Sequence, residues 1–496
     1  MPPTEITVKP ARRQRGIRLT EWLRRRHLPL NTRCAERGLC TGCLVELVDA
    51  AGQSRQVRGC ETSVVECQNL RVRIPERSLI AHRPQAVSEF HINVPQAHAP
   101  LVREGLGAAV DVGTTTVAVL LVDLTSGKIV GRATDFNRQA HYGDDVLTRI
   151  NLCTGNPAMI AKLQTAVVKE TIAPLLTEAG ATNRLACITI AGNTTMLHLL
   201  AGVDPTPMGT VPFTPAFLDH RVIRLPGLGV ANVHLLPGMS AYVGADLCAG
   251  VLASGLAYDD GPSLLVDVGT NGEIVLKSDG LLYGCATAAG PAFEGAGLTS
   301  GARAGPGAIE RVRFDREPFA VHTKTIGRRK AVGVCGSGYI DLLAEGRRVG
   351  LLNERGRFAT PDRLRLADRV FVTEADIAHL LQAKAAIAAG ILTLLHRAGL
   401  EPPQVKMLYL AGGFGLHLDV TNAIACGMLP GFVPEQVQVI GNSSLAGAYL
   451  ALLDNGVLDE LRRLARELNV VELNLDPGFE TRYIDQLTLP SPSRCF

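Results

Sequence analysis

The chain has 496 residues, 46% of them hydrophobic and 20% charged, which excludes a disordered chain and a small disulfide-held scaffold and allows roughly two to four domains. Its 50 Lys and Arg against 47 Asp and Glu leave a net charge of +3, so bulk charge names no polyanionic partner and no nucleic acid is expected. The start, MPPTEITVKPARRQRG, lacks the apolar run of a secretory signal, and no segment approaches about 18 uninterrupted apolar residues, so a cytoplasmic protein without a membrane partner is expected.

Residues 1–76 read as a small strand-rich unit: strands at ITVKP and IRL around a basic turn, a short helix from Thr20 through His27, a cysteine loop, then strands at CLVELVDA and LRVRIP. That succession predicts a β-grasp, ferredoxin-like domain. Five of the 12 cysteines crowd between Cys34 and Cys67, which argues for a local metal centre. Cys34, Cys40 and Cys43 are spaced C-x5-C-x2-C, and Cys60 follows inside VRGCETS. Such a trio wraps one face of an iron–sulfur cluster, with Gly38 and Gly42 letting backbone N–H groups approach the sulfurs, and the fourth thiolate arrives from a neighbouring strand. Zinc is the competing metal, although zinc sites usually pair two short knuckles and Cys60 stands alone. Cys67 reads as a buried bystander, or else as the fourth ligand in place of Cys60. The spacing resembles that of [2Fe-2S] ferredoxins of the adrenodoxin kind. The Lys and Arg residues between Lys9 and Arg37 are either a solvated face or a docking surface for an acidic redox partner.

Residues 77–106, broken by Pro84, Pro95 and Pro100, read as a linker. Beyond it, apolar strands alternate with Ala/Leu-rich helices, as in an α/β fold, and the text repeats itself. AVDVGTTTVAVLLVD at 109–123 is echoed by LVDVGTNGEIVLKSD at 265–279, ITIAGNTTMLHL at 188–199 by LYLAGGFGLHL at 408–418, and YVGADLCAGVLA at 242–253 by VIGNSSLAGAYLA at 439–451. Three motifs recurring in one order predict two similarly folded halves, 107–258 and 259–496.

Each Asp-Val-Gly-Thr lies between two strands, where a tight hairpin is expected. There Gly113, Thr114 and Thr115, and in the second half Gly269, Thr270 and Asn271, offer amides and hydroxyls to phosphate oxygens, while Asp111 and Asp267 can hold a hydrated Mg2+ between the hairpins. Gly412 and Gly413 follow a strand and let a nucleotide's base and ribose lie on the backbone. Neither a G-x-x-x-x-G-K-[ST] loop nor a Rossmann fingerprint occurs.

This arrangement resembles the superfamily of sugar kinases, heat-shock ATPases and actin over roughly residues 107–455. With the cysteine unit in front, the whole chain resembles the ATP-dependent reductive activators of corrinoid-dependent enzymes. Further stretches carry that likeness: Asn137-Arg138-Gln139 with Gly143-Asp144-Asp145-Val146, Ala191-Gly192-Asn193-Thr194-Thr195-Met196, Gly290-Pro291-Ala292-Phe293-Glu294-Gly295 and Gly336-Ser337-Gly338. The resemblance implies a two-lobed actin-like ATPase behind a [2Fe-2S] domain, using ATP and Mg2+ to return a Co(II) corrinoid protein to Co(I) for methyl transfer. It also implies a separate low-potential electron donor and favours a homodimer. A redox-sensing regulatory ATPase, or an activator of another low-potential metalloenzyme, is the alternative.

Overall fold

The computed structural model describes residues 4–492 except 12–13, 15, 27, 29, 31–42, 76–77, 79–87, 93–98, 144, 182–184, 231, 270, 360–362 and 414–416. At the N-terminus, strands β1 (Thr4–Thr7), β2 (Leu44–Val48), β3 (Ser54–Arg58) and β4 (Arg71–Ile74) form an antiparallel sheet in the order β1-β4-β2-β3. The helix Leu19–Arg24 packs Leu19, Trp22 and Leu23 against Val45, Leu47, Val72 and Ile74. It is shorter than Thr20 to His27 because the apolar stripe starts at Leu19 and gives way to Arg24, Arg25 and Arg26. The IRL stretch is not a strand: with the helix opening at Leu19, only one bridge, Arg18 to Ser63, remains.

The first lobe is built on β5 (Leu106–Val112), β6 (Thr116–Asp123), β7 (Ile129–Phe136), β8 (Cys187–Gly192), β9 (Arg221–Ile223) and β10 (Val233–Leu235). The second has β11 (Ser263–Val268), β12 (Gly272–Ser278) and β13 (Leu281–Thr287). Two small inserted sheets follow, β14 (Ala308–Asp315), β15 (Ala320–Thr325) and β16 (Gly333–Val334), then β17 (Arg363–Ala367) and β18 (Val370–Thr373). The lobe is completed by β19 (Met407–Ala411), β20 (Val437–Gly441) and β21 (Leu468–Val470).

The main sheets run β7-β6-β5-β8-β10-β9 and β20-β19-β11-β12-β13-β21. Around β5 and around β11 the pattern is the same: an antiparallel meander on one side and two successive parallel strands on the other. The central strands are covered on both faces, which is why AAVDV and SLLVDV read as nearly continuous apolar runs.

Between the sheets cross the helices Ala245–Ser254 and Ser443–Leu453. Their approach depends on glycine: a Cβ on Gly447 would lie 2.4 Å from the Ala249 carbonyl, and one on Gly250 would lie 2.7 Å from Ser443 Oγ. The segment ahead of the first lobe lies along this crossing. Phe90 bridges Gly441, His91 N–H donates to Ile440 O (3.0 Å), Asn442 N–H donates to Glu89 O (3.0 Å), and Arg132 of β7 donates to Ser88 O.

The helix Glu374–Arg397 is long and apolar enough to cross a membrane, but 78% of its most apolar window is buried in the second lobe. It is a core helix, opened by a Thr373–Asp376 capping box and carrying a buried Lys384 whose ammonium donates to Thr488 O at 2.7 Å.

Candidate nucleotide cleft and cysteine site

The ends of β5 and β11 face each other across a deep cleft between the lobes. Its walls include Asp111, Gly113, Thr114 and Thr115 from the first lobe and Asp267, Gly269, Asn271, Gly412 and Gly413 from the second. These distant stretches therefore meet in one place; Thr270 lies outside the described residues. Gly412 has φ +93°, and a Cβ there would lie 2.6 Å from Val268 O and 2.8 Å from Asp267 Oδ1, so only glycine lets the end of β19 pass this close to the carboxylate. A Cβ on Gly113 would likewise meet Thr116 O at 2.7 Å, which closes the first hairpin tightly.

Two further acids, absent from the expected site, join Asp111 and Asp267. Asp246 stands in the first turn of the helix Ala245–Ser254 and accepts from Leu247 N–H at 2.9 Å. Glu273 is the cross-strand partner of Asp267. Burial, then repulsion from Asp246 and Asp111, pushes Asp267 up to about 7. Burial, with the charge of Asp111, also moves Asp246 to about 7 against the pull of the Leu247 N–H. Glu273 is held well above the usual carboxylate range by burial and by Asp246 and Asp267. Asp111 is raised by burial too, opposed by two donors: Asn442 Nδ2 at 2.9 Å and Ser444 Oγ at 2.7 Å. Asn442 also caps its helix, accepting from Leu445 N–H at 2.8 Å.

Four half-buried carboxylates lining one cleft and repelling one another call for protons or a cation. Among the described residues no three acids, histidines or cysteines converge tightly enough to ligate a metal directly. A hydrated Mg2+, which keeps several waters and is held by few carboxylates and by phosphate, suits this spread of oxygens. On the opposite wall Glu294 accepts from Thr115 Oγ1 at 2.8 Å, a contact from the second lobe to the first hairpin.

In the N-terminal unit, hairpin β2–β3 brings Cys43, just before β2, beside Cys60, just after β3. Gly59 N–H donates to Cys43 O at 2.9 Å, and the two sulfurs, both buried, lie 3.3 Å apart. That is too long for a disulfide and close enough for two thiolates to share a metal, so the pair fits a cluster or zinc. Cys34 and Cys40 lie outside the described residues. Cys67 is a core residue, its thiol pushed up to about 11 by burial and then by the charge of Glu66. Burial, then Arg24 of the N-terminal helix and Arg138, lowers His141 of the first lobe to about 4.

Two matching sheets, hinge helices between them and an acid-lined cleft with paired hairpins define an ATPase of the actin-like class. Family profiles agree: residues 106–259 match the RACo middle region and residues 261–495 match the C-terminal domain of RACo, the ASKHA domain. The corrinoid activation enzyme RamQ of Eubacterium limosum is 32% identical over 415 residues, covering 76% of this chain and 69% of RamQ. The [Co(II) methylated amine-specific corrinoid protein] reductase of Methanosarcina barkeri is 31% identical over 274 residues, 51% of this chain and 50% of that protein. Among solved structures, a reductive activator for corrinoid, iron-sulfur protein superposes with a TM-score of 0.75 at 29% identity, covering 97% of each chain. The chain belongs to the RACo family of corrinoid reductive activators.

Proposed function

We propose that the protein is an ATP-dependent reductive activator that passes one electron from an N-terminal [2Fe-2S] cluster to the Co(II) of a corrinoid protein, regenerating Co(I) for methyl transfer. The observation that carries this reading is the union, in a chain of this family, of an acid-lined two-lobed cleft with a unit in which two buried thiols meet. Cys34, Cys40, Cys43 and Cys60 are the ligand set, and the cluster would supply a one-electron carrier. The working parts are the cysteine unit at 1–76, the connection at 77–106 and the half-repeats 107–258 and 259–496, with a homodimer as the assembly.

In the cleft, the hairpins at Gly113–Thr115 and Gly269–Asn271 receive the phosphates, and Gly412 and Gly413 lie against the adenosine. Asp267, with Asp246 and Glu273, holds Mg2+ through water. Asp111, fixed by Asn442 and Ser444, anchors the start of the hinge helix at the base of the cleft. Returning Co(II) to Co(I) is uphill, and each ~100 mV of deficit costs about 2.3 kcal/mol per electron. Differential affinity of the open and closed lobes for the corrinoid partner is of a size to supply this. A separate low-potential reductase refills the cysteine unit.

The test is anaerobic mixing of reduced protein with candidate corrinoid proteins, following Co(I) absorbance with and without Mg-ATP. Equal rates in both arms would falsify the coupling, and zinc in place of iron and sulfide would remove the electron carrier. Cys60→Ser is expected to abolish the visible chromophore and Co(I) formation while ATP hydrolysis stays within about twofold of wild type. Loss of ATP hydrolysis with the chromophore intact would contradict that assignment.

A further inference from the structure

The first phosphate hairpin is held from behind by residues with no role so far. Asn137, the residue after β7, donates from Nδ2 to Gly113 O at 2.9 Å and from its backbone N–H to Thr115 O at 2.8 Å. Arg149, fully buried, donates from Nη2 to Thr114 O at 2.5 Å. Its other nitrogens are fixed too: Nε donates to Gly143 O at 2.8 Å and Nη1 to Gln139 Oε1 at 3.1 Å, with Met196 Sδ at 2.9 Å. Asp145 starts the helix that carries Arg149 by accepting from Thr148 N–H at 2.7 Å. Two neighbouring stretches, Asn137–Gln139 and Gly143 with Arg149, and the more distant Met196 thus converge behind one turn.

Three successive carbonyls, of Gly113, Thr114 and Thr115, are gripped in this way. Because a trans peptide is planar, its C=O and the following N–H point in opposite directions. Drawing the carbonyls of Gly113 and Thr114 into the lobe therefore turns the N–H groups of Thr114 and Thr115 outward, on the side where these residues line the cleft. Successive amides presented together make an anion-binding concavity.

We infer that Arg149 and Asn137 are positioning residues that set the first hairpin's amides for the nucleotide's phosphate groups. The inference rests on the cleft being the ATP site. The planar guanidinium spans three acceptors at once, which a lysine ammonium on a flexible stem does not reproduce.

The experiment compares the affinity of the full-length protein for a non-hydrolysable ATP analogue with Mg2+ and for adenosine, in wild type, Arg149→Lys and Asn137→Ala. Each variant is expected to lose about tenfold in affinity for the triphosphate, the worth of a hydrogen bond to a charged group, with adenosine binding unchanged. Equal losses for both ligands, or no loss for either, overturn the inference. A fold failure is covered by the wild-type protein: the triphosphate should slow amide exchange at Thr114 and Thr115, adenosine should not, and absence of that difference also overturns it. If wild type binds neither ligand, the nucleotide reading itself fails; if wild type binds and only the variants' selectivity stays intact, the inference fails alone.

Discussion

Asp111 and Asp267 occupy the same place in the two halves, each one residue from the end of the central strand, yet their surroundings differ. Across the hairpin Asp111 faces Ala118, whereas Asp267 faces Glu273. Asp111 accepts from Asn442 and Ser444 at the start of the hinge helix Ser443–Leu453, while among the described residues no hydrogen bond offsets the burial of Asp267. The two strands carry equivalent carboxylates, and their neighbours set them apart. One is tied to the start of the hinge helix. The other is left in a like-charged pair that only a cation or a proton relieves.

The sharpest test of this contrast is truncation of both residues. Asp267→Ala, which removes a metal-holding group, should lower ATP-dependent Co(I) formation by about a hundredfold or more, and Asp111→Ala, which frees the hinge helix, by about tenfold or more. They should part in stability: Asp111→Ala strands two buried donors and costs about 1–3 kcal/mol, while Asp267→Ala removes a repelled carboxylate and leaves the nucleotide-free melting temperature equal or higher. Matching stability losses in denaturant titrations would erase the distinction.

Next in size is the pH dependence. Asp267 and Asp246 sit near 7 in the folded protein, above the 3.8 of an unperturbed aspartate. Between those values the folded state keeps protons that the unfolded chain has released, so stability falls as pH rises from about 4 to 7. A single carboxyl moved that far accounts for up to about 4 kcal/mol. Mg-ATP, by favouring the ionised acids, should flatten the slope, and so should Asp267→Asn; a metal-free protein with constant stability over this range would refute the account.

The sister glycines sharpen the comparison further. A Cβ on Gly244 would meet the turn at Asn193 and Thr194, but one on Gly441, at φ +75°, would lie 2.4 Å from Glu89 O of the segment ahead of the lobe. Gly441→Ala should therefore cost about 2 kcal/mol and expose the chain around Phe90 to proteolysis. Unchanged cleavage would mean that the segment is held elsewhere. The smallest effect belongs to Ser444→Ala, which removes one of two donors to Asp111 and should weaken ATP turnover by a factor of about ten or less.

Much of the cleft was legible because its residues sit in local patterns. The repeated Asp-Val-Gly-Thr and the glycine pair at 412 and 413 declare a hairpin or a turn within a few residues. Glu273 was within reach of the same reasoning, since a tight turn at 269–271 pairs it with Asp267. Asn442 and Ser444 were not, for they touch Asp111 from 331 and 333 residues away, and nothing local marks a capping residue as a clamp. Arg149 was hidden for a similar reason: in sequence it is one arginine on a short amphipathic helix, and only folding buries it behind the hairpin. The helix at Leu19–Arg24 came out shorter than expected because side-chain burial, not propensity, decides where so short a helix stops.

The strand-like seating of Ser88–Ile92 on the hinge also sets a leash. From Ile74, the end of the cysteine unit's sheet, to Ser88 the chain has roughly 14 steps and spans at most about 50 Å. Were that seat released, Ala99 and Leu101 would still be held by Asn455 and Leu452, and the span would grow to about 90 Å. The volume open to the cysteine unit would rise about sixfold, and its local concentration at any fixed point would fall in proportion. The glycine at 441 thus bears on how far the cysteine unit can stand from the two lobes.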